Sequence, residues 1–160
     1  MNASAPAAPV RIEPGCSADL DSVMSVMDGA FDPGFGEAWT RSQCAGILPM
    51  TGVLLTLARD PDSQPLGFSL IRTVAGESEL LLLAVAPASQ KRGVGRRLLD
   101  HFLDRARADG ARRVHLEVRD GNPAIAMYRA AGFKPAGRRR NYYRGRDGRQ
   151  FDALTFARSL

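Results

Sequence analysis

Cysteine and long apolar runs are scarce in this chain, and each scarcity closes off a class of protein. Only two cysteines, Cys16 and Cys44, occur in 160 residues. No disulfide framework is therefore expected, and both thiols are predicted to be reduced and partly buried, as in a cytoplasmic protein. No apolar run reaches the ~18 residues that a membrane-spanning helix needs. The first ten residues, MNASAPAAPV, have neither a basic start nor an apolar block. They read as neither a signal peptide nor a transit peptide. Residues 1–8 are expected to form a disordered lead-in to a single domain over 9–160. Acidic residues are also outnumbered, 17 against 22 Lys and Arg, for a net charge of +5. That excess favours an anionic ligand or partner without choosing between nucleic acid, ribosome and a phosphate-bearing cofactor.

What is present predicts one α+β domain with no repeats and no dividing linker. VRIEP reads as a short first strand. In SADLDSVMSVMDGAF, Leu20, Val23, Met24 and Met27 recur at helical spacing, with Ser17 or Asp19 as N-cap. After the loop DPGFGEAW, TRSQ at Thr40–Gln43 fits a capping box opening a second short helix that ends near Pro49. GVLLTLARD and PLGFSLIRTV read as strands joined by the turn DPDSQP, with Gly76 closing the second. The unbroken leucines of ESELLLLAVAP suit a central strand buried on both faces. Val94, Leu98, Leu99, Phe102, Leu103 and Ala106 mark one face of a helix that Gly110 stops. RRVHLEV is a further strand. NPAIAMYRAAGF is a helix with Asn122 as N-cap, Pro123 at its first position and Gly132 at its end. The remainder reads as two strands around an arginine-rich turn, with six arginines in the twelve residues Arg138–Arg149. Antiparallel strands come first, then a βαβ-like crossover.

The stretch QKRGVGRRLL, Gln90–Leu99, sets Gly93 and Gly95 at the first turn of the long helix. The first N–H groups of a helix lack intrahelical partners and carry about half a positive charge. Backbone without side chains there lets a phosphate approach those donors. Lys91, Arg92, Arg96 and Arg97 add positive charge around the same point. The pattern is a pyrophosphate cradle. A Walker A loop would need Ser or Thr after Gly-Lys, and a Rossmann fingerprint would need a glycine where Leu98 stands. On the two glycines alone, a strand-to-helix turn with a solvated basic face explains the stretch equally well.

The context decides between them. AVAPASQKRGVGRRLL resembles the acetyl-CoA motif of the GNAT superfamily of N-acetyltransferases: a buried strand, then Q/R-x-x-G-x-G/A, then a helix. Gln90, Gly93 and Gly95 fall on its defining positions. LEVRDGNPAIAMYRAAGF is similar to the same family's later motif, where a strand leads into a helix ending Y-x-x-x-G-F. The likeness is strong over residues 80–133. It is looser elsewhere, with FGEAW and the two early helices where the family has its acceptor-side elements. Within the superfamily, LEVR, Asn122, MYRAAGF and RRNYY at Arg139–Tyr143 are similar to the RimI-type enzymes. Those acetylate the N-terminal alanine of a small-subunit ribosomal protein.

The resemblance implies a central, mostly antiparallel sheet with splayed middle strands and flanking helices. It implies acetyl-CoA as co-substrate, no metal, and direct attack of an amine on the thioester. Glu117 corresponds to the family's base, acting through a water, with His115 on the same strand face as reserve. Tyr128 corresponds to the acid for the departing thiolate, whose pKa is near ~8.5 by analogy with cysteine. The Val85 N–H corresponds to the oxyanion donor, and Leu83, Ala84 and Val85 to the grip on the pantetheine arm. Lys91, Arg92, Gly93, Val94, Gly95 and Arg96 would hold the pyrophosphate. Asn122 matches a cofactor-contacting asparagine. One spacing departs: Asn122 lies six positions before Tyr128, against seven in the RimI-type pattern. One residue turns a helix by about 100°, which displaces Asn122 more than Tyr128, because Y-x-x-x-G-F is intact.

The residues keep plainer roles open. Glu117 alternates with Val114, Leu116 and Val118 as a strand's wet face would, Tyr128 can simply pack beside Phe133, and Asn122 serves as a cap. Trp39 and Tyr142 or Tyr143 are candidates for the walls of an acceptor groove, or for core aromatics. Cys16 and Cys44 match no nucleophile position. The expected acceptor is a protein N-terminus. An α-amine has a pKa of ~7.7–8.0 against ~10.4 for lysine, so presenting it uncharged at neutral pH costs about 3 kcal/mol less. Lysine, a polyamine or another small amine is the nearer alternative. An RNA-binding module using the Arg/Tyr-rich turn is the alternative of another class.

Overall fold

The computed structural model describes residues 9–160; the lead-in expected over residues 1–8 lies outside them. Seven strands form one sheet: β1 (Arg11–Pro14), β2 (Val53–Arg59), β3 (Pro65–Val74), β4 (Glu77–Val85), β5 (Arg113–Arg119), β6 (Lys134–Arg144) and β7 (Gln150–Ser159). Their order is β1-β2-β3-β4-β5-β7-β6. Neighbours are antiparallel except β4 and β5, the parallel pair of the expected crossover. Helices α1 (Leu20–Ala30) and α2 (Arg41–Ile47) cover one face, and α3 (Val94–Ala108) and α4 (Ile125–Ala130) the other. No helix of the described residues is long and apolar enough to cross a membrane.

Helix α3 forms because its apolar residues repeat every three or four positions. All six expected core residues, Val94 to Ala106, are buried against the sheet, with Leu98, Leu99 and Phe102 fully enclosed. Each of those three contributes about 1.5–3 kcal/mol of burial. Gly110, at φ 80°, ends it where a side chain would be strained. On the opposite face α1 buries Leu20, Val23, Val26 and Met27. Met24, expected in that stripe, is only partly buried, and Val26 takes its place. Neither Ser17 nor Asp19 caps α1 with its side chain. A short 3₁₀ turn over Ser17–Asp19 precedes the helix, and the Asp19 carboxylate accepts from Cys16 N at 2.9 Å. Both cysteines are free, but Cys16 is exposed, while burial raises the pKa of the enclosed Cys44 thiol.

The capping box at α2 is present as expected. Gln43 N donates to Thr40 Oγ1 at 3.2 Å, and Thr40 N donates to Gln43 Oε1 at 2.8 Å. Thr40→Ala is expected to cost about 1 kcal/mol and to lower the melting temperature by roughly 2–4 °C in a thermal scan. The arginine-rich segment is corrected by the structure. Arg138 to Arg144 lie on edge strand β6, and the turn itself is only residues 145–149.

Candidate active site

The sheet parts in its middle. β4 and β5 pair only from Glu77↔Arg113 to Leu80↔Leu116, after which both strands continue without pairing each other. A bulge in β4 sits at the same place, since Leu70 pairs with Leu82 but Ile71 with Leu80, leaving Leu81 extra. The bulge turns the strand over: Leu80 packs toward α3, while Leu82 and Ala84 pack toward α1. The strand is thus covered on both faces, as its leucines imply, but with alternate residues only half enclosed. Leu81 and Leu83 are half-buried and border the opening, while Val85 packs against Val94 and Leu98 at the start of α3. Ala86 N donates to Leu66 O at 2.8 Å on the β3 side. Backbone groups alternate in direction along a strand, so the N–H groups of Leu83 and Val85 face the gap that β5 leaves.

The cleft at this split is lined by Phe31, Glu37, Trp39, Glu79 to Leu83, Leu116 to Val118, Asn122, Tyr128, Tyr142 and Tyr143. The structure thereby brings Glu117 and Tyr128 into one cavity with all three candidate wall aromatics. Glu117 projects from the β5 face that also carries His115 and Arg119, because the alternate residues Val114, Leu116 and Val118 are held in the opposite core. Its Oε1 lies 2.7 Å from Arg139 Nε. His115 stands outside the cleft lining, its Nε2 3.6 Å from Glu79 Oε2 and its buried Nδ1 without a partner among the described residues.

Tyr128 is 6% exposed and packs edge-on against Phe133 with ring centroids 6.1 Å apart, so the packing role and the cleft position are both real. Burial first, and then the Glu37 charge, push its hydroxyl well above the ordinary tyrosine range. Tyr143 is pushed up by burial and by Glu37 and Glu117 in turn. Tyr142 is raised less, by burial and then Glu117. All three phenols keep their protons at neutral pH and are donors facing carboxylates.

Sequence reasoning missed Glu37 and Arg119. Arg119 looked like a residue of the wet strand face, yet it is 7% exposed. Its guanidinium sits 3.7 Å from the Phe35 ring centroid, and its Nε 3.2 Å from Glu37 Oε1. That Nε has no aligned hydrogen bond, so the contact is an ion pair in which direction matters little. The signal was the pair of aromatics, Phe35 and Trp39, flanking Glu37, since a loop carrying two aromatics packs down rather than standing in solvent. Asn122 is drawn into the same cluster. Its Nδ2 donates to Glu37 Oε1 at 3.0 Å and its Oδ1 accepts from Ala124 N at 2.8 Å. That second bond closes a local turn, and the expected N-cap is corrected: regular helix begins only at Ile125, with Ala124 as its N-cap and Pro123 ahead of it.

At the far end of the split lies the glycine stretch. Gly93 has φ 84° and Lys91 φ 60°, left-handed positions that curl the loop so that successive N–H groups face a concavity. The first intrahelical bond of α3 is donated by Arg97 N to Gly93 O at 3.0 Å, which leaves the amides of Val94, Gly95 and Arg96 ahead of it. Gln90 Nε2 donates to Val85 O at 3.1 Å, tying the loop to β4. A Cβ at Gly95 would meet Met127 Sδ and Val85 Cγ2 at an ordinary 3.5 Å. Protein packing therefore does not demand that glycine. Val94 is buried, so only its N–H is available. Two of the four expected cations are committed elsewhere: Arg96 pairs with Asp100 at 3.0 Å, and Arg97 donates to Val10 O at 2.7 Å. Among the described residues, Lys91 and Arg92 have no carboxylate partner.

A sheet parted beside a glycine-led helix is the architecture of the N-acetyltransferases. The chain superimposes on the crystal structure of an Escherichia coli ribosomal-protein-alanine N-acetyltransferase with a TM-score of 0.84 and 30% identity, covering 95% of this chain and 94% of that one. The chain belongs to the acetyltransferase (GNAT) family, whose sequence model matches residues 20–133. It is 43% identical over 91 residues to the ribosomal protein bS18-alanine N-acetyltransferase of Escherichia coli, 56% of this chain and 61% of that protein. The sequence match thus spans about three fifths of that relative's length. The Salmonella typhimurium protein of the same name is 39% identical over 104 residues, 64% of this chain and 70% of its own. The N-alpha-acetyltransferase RimI of Mycobacterium tuberculosis is 50% identical over 74 residues, 46% of this chain and 45% of that protein.

Proposed function

We propose that this protein is an acetyl-CoA-dependent N-acetyltransferase acting on a protein N-terminal amine, namely the N-terminal alanine of a small-subunit ribosomal protein, in the cytoplasm. The observation that carries the proposal is the split between β4 and β5, which leaves a strand edge unpaired and opens a cleft lined by Glu117 and Tyr128, with Gly95 of the α3 start beside Leu83 and Val85 of the same strand. Acetyl-CoA supplies a thioester carbonyl already activated toward amines. The residues Lys91, Arg92 and the N–H groups from Gly93 to Arg96 hold its pyrophosphate, and the main chain of Leu83, Ala84 and Val85 holds its arm. The Val85 N–H donates toward the oxygen on which negative charge develops. Glu117, through a water, takes the proton of the acceptor ammonium. The Tyr128 hydroxyl donates toward the departing thiolate. Because its pKa stands far above that of a thiol, hydrogen-bond donation is favoured over complete transfer of the proton. Asn122 spends both polar ends inside the protein, so its part is to place α4 rather than to contact the cofactor.

Two glycine variants test the cradle. Gly93→Ala is expected to lose about 1–2 kcal/mol of stability at its left-handed position. Gly95→Ala keeps the melting temperature, and both weaken acetyl-CoA binding by about tenfold, about 1.4 kcal/mol, in calorimetry.

The acceptor is tested by mass spectrometry after incubation with acetyl-CoA and a peptide panel. The panel holds free alanine N-termini, blocked N-termini with internal lysines, and a polyamine. An acetyl mass shift on the free-alanine peptides alone supports the proposal; transfer to lysine or polyamine replaces the acceptor and keeps the chemistry. The RNA-binding alternative gains little from the structure, because Tyr142 and Tyr143, its stacking candidates, line the cleft that holds Glu117.

A further inference from the structure

The RRNYY stretch is not used up by the roles above, and its first residue stands in an unusual place. Arg139 sets its Nε 2.7 Å from Glu117 Oε1 and its guanidinium carbon 5.6 Å from the Tyr142 ring centroid. Strand pairing carries it there: Arg139, Ala153 and Arg119 stand opposite one another, on the face that also bears Glu117, and the strand breaks just beyond. Pairing runs Arg139↔Ala153 and then Tyr143↔Phe151, so β6 holds two more residues than β7 across that interval. Asn141 takes φ 53° in the bulge, and its N–H is held by Asp152 Oδ1 at 3.0 Å. The bulge follows Arg139 and leads the chain on to Tyr142 and Tyr143, which line the cleft.

The two partners are not equally fixed. The Glu117 side chain is 18% exposed and rooted in the sheet, whereas that of Arg139 is 63% exposed. Its neighbour Arg138 is held by both Asp120 and Asp152, at 2.8 and 2.7 Å, but Arg139 has Glu117 alone among the described residues. An amine that Glu117 is to deprotonate arrives as an ammonium, with the same charge and the same need for a carboxylate edge and an aromatic face.

We infer that Arg139 occupies the acceptor-ammonium position on Glu117 in the free enzyme, and that an acceptor N-terminus binds by displacing it. The inference rests on Glu117 as the base. An exposed ion pair is weak, so the guanidinium leaves for solvent readily. A blocked terminus carries no charge with which to replace it. Arg139 is thus a specificity element that favours charged amines over neutral groups of similar shape.

The experiment is steady-state kinetics of Arg139→Ala and Arg139→Lys with a free-N-terminus peptide at saturating acetyl-CoA, together with Glu117→Gln and the double variant Arg139→Ala/Glu117→Gln. Arg139→Ala is expected to lower the acceptor KM roughly two- to fivefold, the scale of an exposed pair, with the acetyl-CoA KM unchanged. Arg139→Lys, which keeps the cation, stays nearer to wild type. Peptide affinity measured by calorimetry should gain from Arg139→Ala when Glu117 is present and not when it is glutamine. An acceptor KM that is unchanged or raised in Arg139→Ala overturns the inference. A fall in kcat at constant KM also overturns it, because Arg139 would then be positioning Glu117. Undiminished turnover in Glu117→Gln removes the base role instead, and the calorimetric comparison still reads whether the guanidinium is displaced.

Discussion

Glu117→Gln should lower kcat by about 10²–10³ at neutral pH, within the range that a positioned general base contributes, while acetyl-CoA binds as before. The two effects separate because the carboxylate lies on the β5 wall, whereas the cradle belongs to the β4–α3 junction. The pH dependence is the sharper part. A peptide N-terminus has a pKa of ~7.7–8.0, so below that range nearly all acceptor is ammonium and needs a base. Above it, free amine is abundant and the missing carboxylate matters less. The ratio of wild-type to variant rates should therefore be largest at low pH and shrink as pH rises through the acceptor pKa. Stability should change little, since the partner lost is the exposed Arg139. A variant with wild-type rates across that range would assign deprotonation to His115 or to solvent.

How much of this was legible in the sequence depended on whether the determinants were local. Helix α3 was readable to within about a residue because the six apolar positions and the two bounding glycines all lie within one stretch. The α2 capping box was equally local. The bulge at Leu81 was not, because four consecutive leucines look alike until β3 defines which pair with it. The same holds for β6, where Arg138 to Arg144 have the composition of a turn but the pairing of an edge strand. Alternation on β5 correctly separated Val114, Leu116 and Val118 from His115, Glu117 and Arg119. It did not tell which of the latter three is wet, because a loop eighty residues away in sequence decides that. Gly36 shows how closely that loop is seated: at φ 68°, a Cβ there would lie within 2.0 Å of Arg144 O. Family resemblance located Glu117 and Tyr128, and physical patterning alone located the frame around them.

The seat of that loop yields the largest stability prediction, the loss of Arg119. Arg119→Met keeps most of the side chain's length and apolar stem, so its cost reports the charge rather than a cavity. It strands Glu37, whose side chain is 10% exposed, with Asn122 Nδ2 as the remaining donor to its Oε1. Breaking a buried pair from one side costs about 3–5 kcal/mol, or roughly 6–20 °C in melting temperature for a domain of this size. Removing both charges removes the stranded carboxylate, so Arg119→Met with Glu37→Gln should melt well above the single variant. The catalytic consequence is one-sided. Glu37 joins the acceptor loop to β5 and to the start of α4, so the acceptor KM should rise while acetyl-CoA affinity, set at the opposite end of the split, stays close to wild type. Equal melting of Arg119→Met and wild type would mean that the Phe35–Phe151 contact and the bond from Arg146 N to Pro33 O hold the loop without the ion pair.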